Sequence, residues 1–135
     1  KNGQIYDIEG SATDFELIHA TDGYVVHTNH YVTQRMRKYE SDFLKSVRSY
    51  MCSVCRYNRA LSLLRESKEI SLQRVMEILS DHANYPYSIC RHVDEKIKVE
   101  DRVKTIYSSV VDVTAQEIWV CYGNPCSEKY NRYTL

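Results

Sequence analysis

The sequence predicts an α+β chain in which β-rich runs at both ends flank a helical middle. Three observations carry this expectation. The segment from Gln4 to Tyr31 is rich in Ile, Val, Tyr and Phe and is cut by turn-forming clusters. Two central stretches place apolar residues at helical spacing, and β-branched and aromatic runs return after residue 104. Strands, then helices, then strands in blocks describe segregated layers rather than alternating parallel βαβ units.

The first block is divided by Gly10-Ser11-Ala12 and by Thr21-Asp22-Gly23, residues that supply turn chemistry between consecutive strands. Gln4–Glu9, Phe15–Ala20 and Tyr24–His27 are therefore expected to form an antiparallel meander. From Thr33 to Ser53 the chain is polar and mixed in charge, with Gln34, Arg35, Arg37, Lys38, Glu40, Asp42 and Lys45, and its periodicity is weak. A long excursion with short helical turns is expected there.

Two helices follow. Tyr57, Ala60, Leu61 and Leu64 recur at i, i+3, i+4, i+7, and Leu72, Val75, Met76 and Leu79 repeat the spacing, with Ser71 placed as an N-cap. Each fully buried Leu contributes about 1.5–3 kcal/mol, so core packing explains the stripes without a ligand. Asn84-Tyr85-Pro86 must interrupt the helix, because proline lacks the amide proton and disfavours helical geometry in the residue before it. After a charged linker from Asp94 to Arg102, Thr105–Val113 and Glu117–Tyr122 read as a hairpin joined by Thr114-Ala115-Gln116. Gly123-Asn124-Pro125-Cys126 is expected to end that sheet, leaving an aromatic and basic tail, Tyr130-Asn131-Arg132-Tyr133.

At 135 residues the chain is about the size of one domain and can bury one core without disulfides or a metal. Eighteen basic residues balance eighteen acidic ones, so no basic field exists to hold nucleic acid or an anionic membrane. No apolar run approaches the roughly 18 residues of a membrane span, and a soluble protein is expected. Five cysteines, odd in number and unevenly spaced, argue against a disulfide framework and for a reducing, cytoplasmic setting. The chain opens on Lys1 rather than Met, as expected of a processed or truncated start.

His27-Thr28-Asn29-His30 places four hydrogen-bonding side chains where a β-rich segment ends. An Asn amide offers two donors that stay uncharged at every pH, which suits a developing oxyanion; the alternative is a turn Asn between two surface histidines. His27 and His30 lack both the spacing and the neighbouring ligands of a metal site. Cys52-Ser53-Val54-Cys55 fits C-x-x-C without the second pair or βαβ context that would give it meaning, and a small metal or redox module on it ranks last among the readings. Cys90 beside Arg91 and His92 admits an activated thiolate but suits a half-buried structural cysteine better. Asp81 and His82 are helix neighbours about 100° apart and read as a surface pair. No glycine-rich phosphate loop, dinucleotide fingerprint or G-x-S-x-G is present.

Several motifs in order resemble one family. Gly23-Tyr24-Val25-Val26-His27-Thr28-Asn29-His30 resembles the G-x-x-x-H-T-N-H strand of the acyl-coenzyme A:6-aminopenicillanate acyltransferases. Ser53-Val54-Cys55-Arg56-Tyr57-Asn58-Arg59 is similar to the family's S-x-x-R-x-x-R helix start. The block from Asp81 to Arg91, with Asn84-Tyr85-Pro86-Tyr87-Ser88-Ile89-Cys90, is the most specific match. Arg102-Val103-Lys104-Thr105 and Gly123-Asn124-Pro125-Cys126 extend it over nearly the whole chain.

The resemblance implies a four-layered αββα sandwich of N-terminal-nucleophile hydrolases and a precursor that cuts itself to expose a cysteine whose own α-amine acts as base. It implies that Asn29 is the oxyanion-hole residue, that Arg102 is tied to the active site and processing, and that His27, Thr28 and His30 are auxiliary or substrate-binding. The family's Gly-Cys cleavage point lies upstream of the matched region, none of the five cysteines occupies the nucleophile position, and Lys1 cannot serve as one. The chain is thus expected to be a single-domain, C-terminal portion of an amide hydrolase or acyltransferase, inactive alone and partnered by the upstream half. Its substrate is expected to be a small acylated amine or amide, with acyl-coenzyme A among the candidates; no cofactor or metal is expected, and a homo-oligomer is allowed. The rival is a non-catalytic fragment whose sheet is completed by another chain.

Overall fold

The computed structural model describes residues 3–41 and 47–134. The chain divides into two compact units, residues 1–58 and 59–135, and is α+β, with two antiparallel sheets and two α-helices.

In the first unit, β1 (Tyr6–Gly10) and β2 (Phe15–His19) form a hairpin running from Tyr6 opposite His19 to Gly10 opposite Phe15. Its turn falls where Gly10-Ser11-Ala12 predicts one: Ser11 N donates to Asp14 O at 2.8 Å, and Ser11 Oγ accepts from Asp14 N at 3.0 Å. The third strand of the expected meander does not form. Tyr24–His27 belongs to no strand, and the chain continues irregularly to a short 3-10 turn at Met36–Tyr39. Met36 is fully buried there.

The hairpin has an inverted face. Tyr6, Ile8, Phe15 and Leu17 lie on one side and are all exposed, whereas Glu9, on the other side, is 2% exposed.

Helix α1 (Val47–Glu66) begins well before the predicted stripe. Val47 to Ser53, part of the expected polar excursion, is helical although Arg48, Ser49 and Ser53 break the apolar period; residues 42–46 of that excursion lie outside the described residues. Helix α2 (Leu72–Leu79) starts where predicted, with Ser71 Oγ accepting from Arg74 N at 3.2 Å. The predicted stripe residues of both helices are half-buried, and the buried residues are Cys52, Ser53 and Leu63 on α1 and Ile78 on α2.

Beyond α2 the chain turns through Asn84, whose φ of 70° is a left-handed geometry that Asn tolerates, and through a cis Tyr85–Pro86 bond. A 3-10 turn at Val99–Asp101 follows in the charged linker. Then β3 (Tyr107–Asp112) and β4 (Glu117–Tyr122) form the predicted hairpin, its turn fastened by Asp112 Oδ1, which accepts from Thr114 N and Ala115 N.

The sheet does not end at Gly123. Strand β5 (Tyr130–Thr134) pairs with the far edge of β4, giving the order β3-β4-β5. The expected tail is thus a strand, and its Tyr-Asn-Arg-Tyr carries no apolar alternation, as suits an edge. Ser108, Cys121 and Tyr130 align across the three strands, and the Ser108 hydroxyl and Tyr130 OH are hydrogen-bonded at 2.7 Å. Among the described residues no helix is long and apolar enough to cross a membrane.

Candidate functional site

The His27–His30 motif lies on the unpaired segment of the first unit, so its amides need partners outside any sheet. Side chains supply them from Asn29 to Thr33. The amides of Asn29 and His30 donate to Ser53 Oγ at 3.0 and 3.1 Å. Tyr31 N donates to Glu40 Oε2 at 2.9 Å, Val32 N to Glu9 Oε1, and Thr33 N to Glu9 Oε2 at 3.0 Å. Five successive amides are thus captured by three side chains from β1, the segment after the first 3-10 turn, and α1.

Ser53, fully buried on α1, also contacts His30 Nδ1 at 2.8 Å and Thr28 Oγ1 at 3.0 Å. Thr28 in turn donates to the Ser53 carbonyl at 3.2 Å. Glu9 additionally accepts from the Thr33 hydroxyl at 2.5 Å and from His27 Nε2 at 2.8 Å. His27 Nε2, Thr28 Oγ1 and His30 Nδ1 are therefore all engaged in holding the loop.

Asn29 is different. Its side chain is exposed, and Oδ1 accepts from Arg56 Nη2 at 2.6 Å. A guanidinium can only donate, so this contact fixes which end of the amide faces the protein. The Nδ2 end is turned away and has no hydrogen-bond partner among the described residues. A cation on the carbonyl oxygen withdraws electron density from the amide, which sharpens Nδ2–H as a donor.

Burial would raise the Glu9 pKa, but the Thr33 hydroxyl, the Val32 and Thr33 amides and His27 together hold it below its ordinary 4.5. Burial pushes His30 below the ordinary 6.5, against the pull of Glu40, which favours the neutral ring.

In the second unit, Asp81 does not pair with His82. Its carboxylate takes a fork from Arg59 (Nη2 to Oδ2 2.7 Å, Nε to both oxygens 3.1 Å), and the Arg59 bonds set its pKa below the ordinary 3.8 despite burial. Arg102 closes its own loop, donating from Nε to Ile97 O at 3.2 Å and from Nη2 to Glu95 O at 2.9 Å. Cys90 is fully buried, and His82, Cys90, His92 and Cys126 converge. Cys52 and Cys55 sit in the middle of α1 with no third metal-ligating group among the described residues.

The family model of the acyl-coenzyme A:6-aminopenicillanic acid acyl-transferases matches residues 1–127. The chain belongs to that family. No curated protein matches it.

In this member of the family, the geometry gives the S-x-x-R-x-x-R run a local purpose. Ser53 and Arg56, one helical turn apart, grip the backbone and side chain of Asn29, and Arg59 grips Asp81. Glu9 and Glu40, which the sequence places in a strand and in the polar excursion, turn out to be anchors of this loop. A Glu in a predicted strand beside a His-rich turn was the one available signal, and it is weak, since strand glutamates are ordinarily solvated.

These shifts fix the sign of the pH dependence. His30 has its pKa depressed in the folded chain, so its contribution to stability is complete above about 6.5 and is lost as pH falls through the native value. Glu9 and Asp81, also depressed, contribute above their ordinary carboxylate values and lose that contribution at lower pH still. Thermal midpoints should therefore fall continuously as pH drops from 7 toward about 3. His30→Gln should flatten the upper part of this slope; an unchanged slope in that variant would remove His30 from the account.

Proposed function

We propose that this chain is the oxyanion side of an amide hydrolase or acyltransferase whose nucleophile is an N-terminal cysteine encoded upstream of the matched region. The observation that carries this is Asn29: an amide on a loop whose amides from Asn29 to Thr33 are held by side chains, its oxygen held by Arg56 and its two N–H donors without a partner among the described residues. Such a donor costs no reorganisation when charge develops on a carbonyl oxygen.

In this reading the cysteine thiol gives its proton to the α-amine of the same residue, and the sulfur attacks the amide carbonyl carbon. The oxygen that becomes an oxyanion accepts from Asn29 Nδ2. Collapse breaks the carbon–nitrogen bond, the ammonium returns its proton to the leaving amine, and the acyl group remains as a thioester. Water completes hydrolysis, and an acceptor amine completes transfer. His27, Thr28 and His30 act as positioning residues, supported by their bonds to Glu9 and Ser53. Arg102, which the family resemblance ties to activity and processing, is held by the Ile97 and Glu95 carbonyls of its own loop. The substrate is a small N-acyl amine or amide, with acyl-coenzyme A as an alternative acyl donor.

The inverted hairpin supports the larger architecture. Tyr6 and Leu17 are 47% and 42% exposed, and Ile8 and Phe15 are 64% and 61% exposed, on one face of a two-stranded sheet. A surface of that kind is costly in water and fits a layer that packs on a second sheet, as in the αββα sandwich. The upstream half is the occupant this reading requires, making the chain one portion of a larger domain.

Co-expression with the upstream reading frame tests the proposal. The expected result is a Gly-Cys junction cut in the mature complex and turnover of N-acyl amino acids or of an acyl-coenzyme A and amine pair. A frame without such a junction, or a well-formed complex inert toward these substrates, would favour the non-catalytic fragment that binds another chain.

A further inference from the structure

The second unit gathers four groups of one chemical kind that the proposed acyl transfer does not use. His82 follows α2, Cys90 and His92 lie beyond the cis-proline turn, and Cys126 lies in the turn after β4. Their ligand atoms all fall within 4.8 Å of one another. His92 Nε2 is 3.0 Å from His82 Nε2, 3.7 Å from Cys90 Sγ and 3.5 Å from Cys126 Sγ.

The three separations that meet at His92 are close to the edges of a zinc tetrahedron. With Zn–S about 2.3 Å and Zn–N about 2.0–2.1 Å, tetrahedral geometry separates sulfur from nitrogen by about 3.6 Å and the two nitrogens by about 3.3 Å. Two thiolates and two imidazoles form a donor set that zinc accepts in closed, four-coordinate sites.

The surroundings hold the donors in place. Cys90 N donates to Asp81 O and His92 N to Pro86 O, both at 3.0 Å, and the Ser88 hydroxyl donates to Cys90 O at 2.6 Å. Asn124 Nδ2 donates to Cys90 Sγ at 3.4 Å and to Arg91 O at 2.9 Å, joining the two loops and offering a hydrogen bond to a thiolate. Tyr85 lies against both imidazole rings, with centroids 6.2 Å from His82 and 5.1 Å from His92.

We propose that His82, Cys90, His92 and Cys126 bind one zinc ion, a structural site that ties the loop after α2 to the turn after β4. Both thiols release their protons to solvent on binding, so the zinc centre is electrically neutral. All four positions are filled by protein, leaving none for substrate, and the site stands independently of the amide chemistry. Sequence order hides it: the ligands fall at 82, 90, 92 and 126, and the local C-x-x-C pair at 52 and 55 contributes nothing.

Cobalt(II) titration of the full chain, stripped of metal and kept reduced, is the test. The expected result is one equivalent bound with thiolate-to-cobalt charge transfer and the strong visible bands of tetrahedral cobalt, displaced by one equivalent of zinc. Cys126 is exposed, so Cys126→Ser should still fold; it is expected to lose the tetrahedral spectrum and any zinc-dependent rise in thermal midpoint. Asn124→Ala should weaken zinc by roughly 10–100-fold, as loss of an outer-shell partner does, and Cys55→Ser should change nothing. Absence of the charge-transfer band, its persistence at full strength in Cys126→Ser, or its loss in Cys55→Ser would overturn the proposal.

Discussion

Asn29→Ala, made in the complex with the upstream half, is expected to lower kcat for amide turnover by about 10²–10³, the usual cost of one oxyanion-hole donor. KM should change little, because the hydrogen bond strengthens as the carbonyl oxygen gains charge and adds little to ground-state binding. The fold should be unaffected, since the Asn29 side chain is exposed and its backbone amide keeps its bond to Ser53. Asn29→Asp should be at least as damaging, because it removes the Nδ2 donors and puts a carboxylate beside the developing oxyanion. Arg56→Gln offers a graded control: the amide stays but loses the cation that orients it, and kcat should fall by less than in Asn29→Ala. Equal kcat in wild type and Asn29→Ala would show that the oxyanion is stabilised elsewhere.

The motif that led to Asn29 was legible because its chemistry is local: four polar side chains in a row at the end of an apolar run. What holds that motif was not. Glu9 lies 18 to 24 residues before the groups it binds, and Ser53 lies 23 to 25 residues after its own. Nothing in the spacing of a strand glutamate or a helix serine states that each will collect two backbone amides. The missing third strand has the same origin. Tyr24–His27 has strand composition, but the segment that follows gives its amides to side chains, and composition cannot distinguish that arrangement from a ladder. Hairpins fared better, because Gly10-Ser11-Ala12 and Thr114-Ala115-Gln116 carry their turn chemistry within a few residues. The edge strand Tyr130–Thr134 was missed because its side chains pack along a margin, as Arg132 does over Trp119, and so need no apolar alternation.

Glu9→Ala is expected to be the most destabilising single change in the first unit, by about 3–5 kcal/mol, the range for removing one partner from a buried charged network. Four donors converge on this carboxylate: the Val32 and Thr33 amides, the Thr33 hydroxyl and His27 Nε2. Alanine would leave these donors without acceptors in a volume too closed for bulk water to replace the carboxylate. Glu9→Gln keeps the shape but turns an amide nitrogen toward one side of the cluster, so an intermediate loss of about 1–3 kcal/mol is expected. Urea unfolding at pH 7 measures both, and a Glu9→Ala midpoint equal to wild type would mean that the carboxylate is not the centre of the clamp. The comparison also bears on function through Asn29. Glu9 anchors the loop at His27 on one side and at Val32 and Thr33 on the other, while Ser53 anchors the residues between. Releasing the outer anchors should therefore loosen the amide held by Arg56, and Glu9→Gln in the reconstituted complex should lower kcat while the protein remains folded.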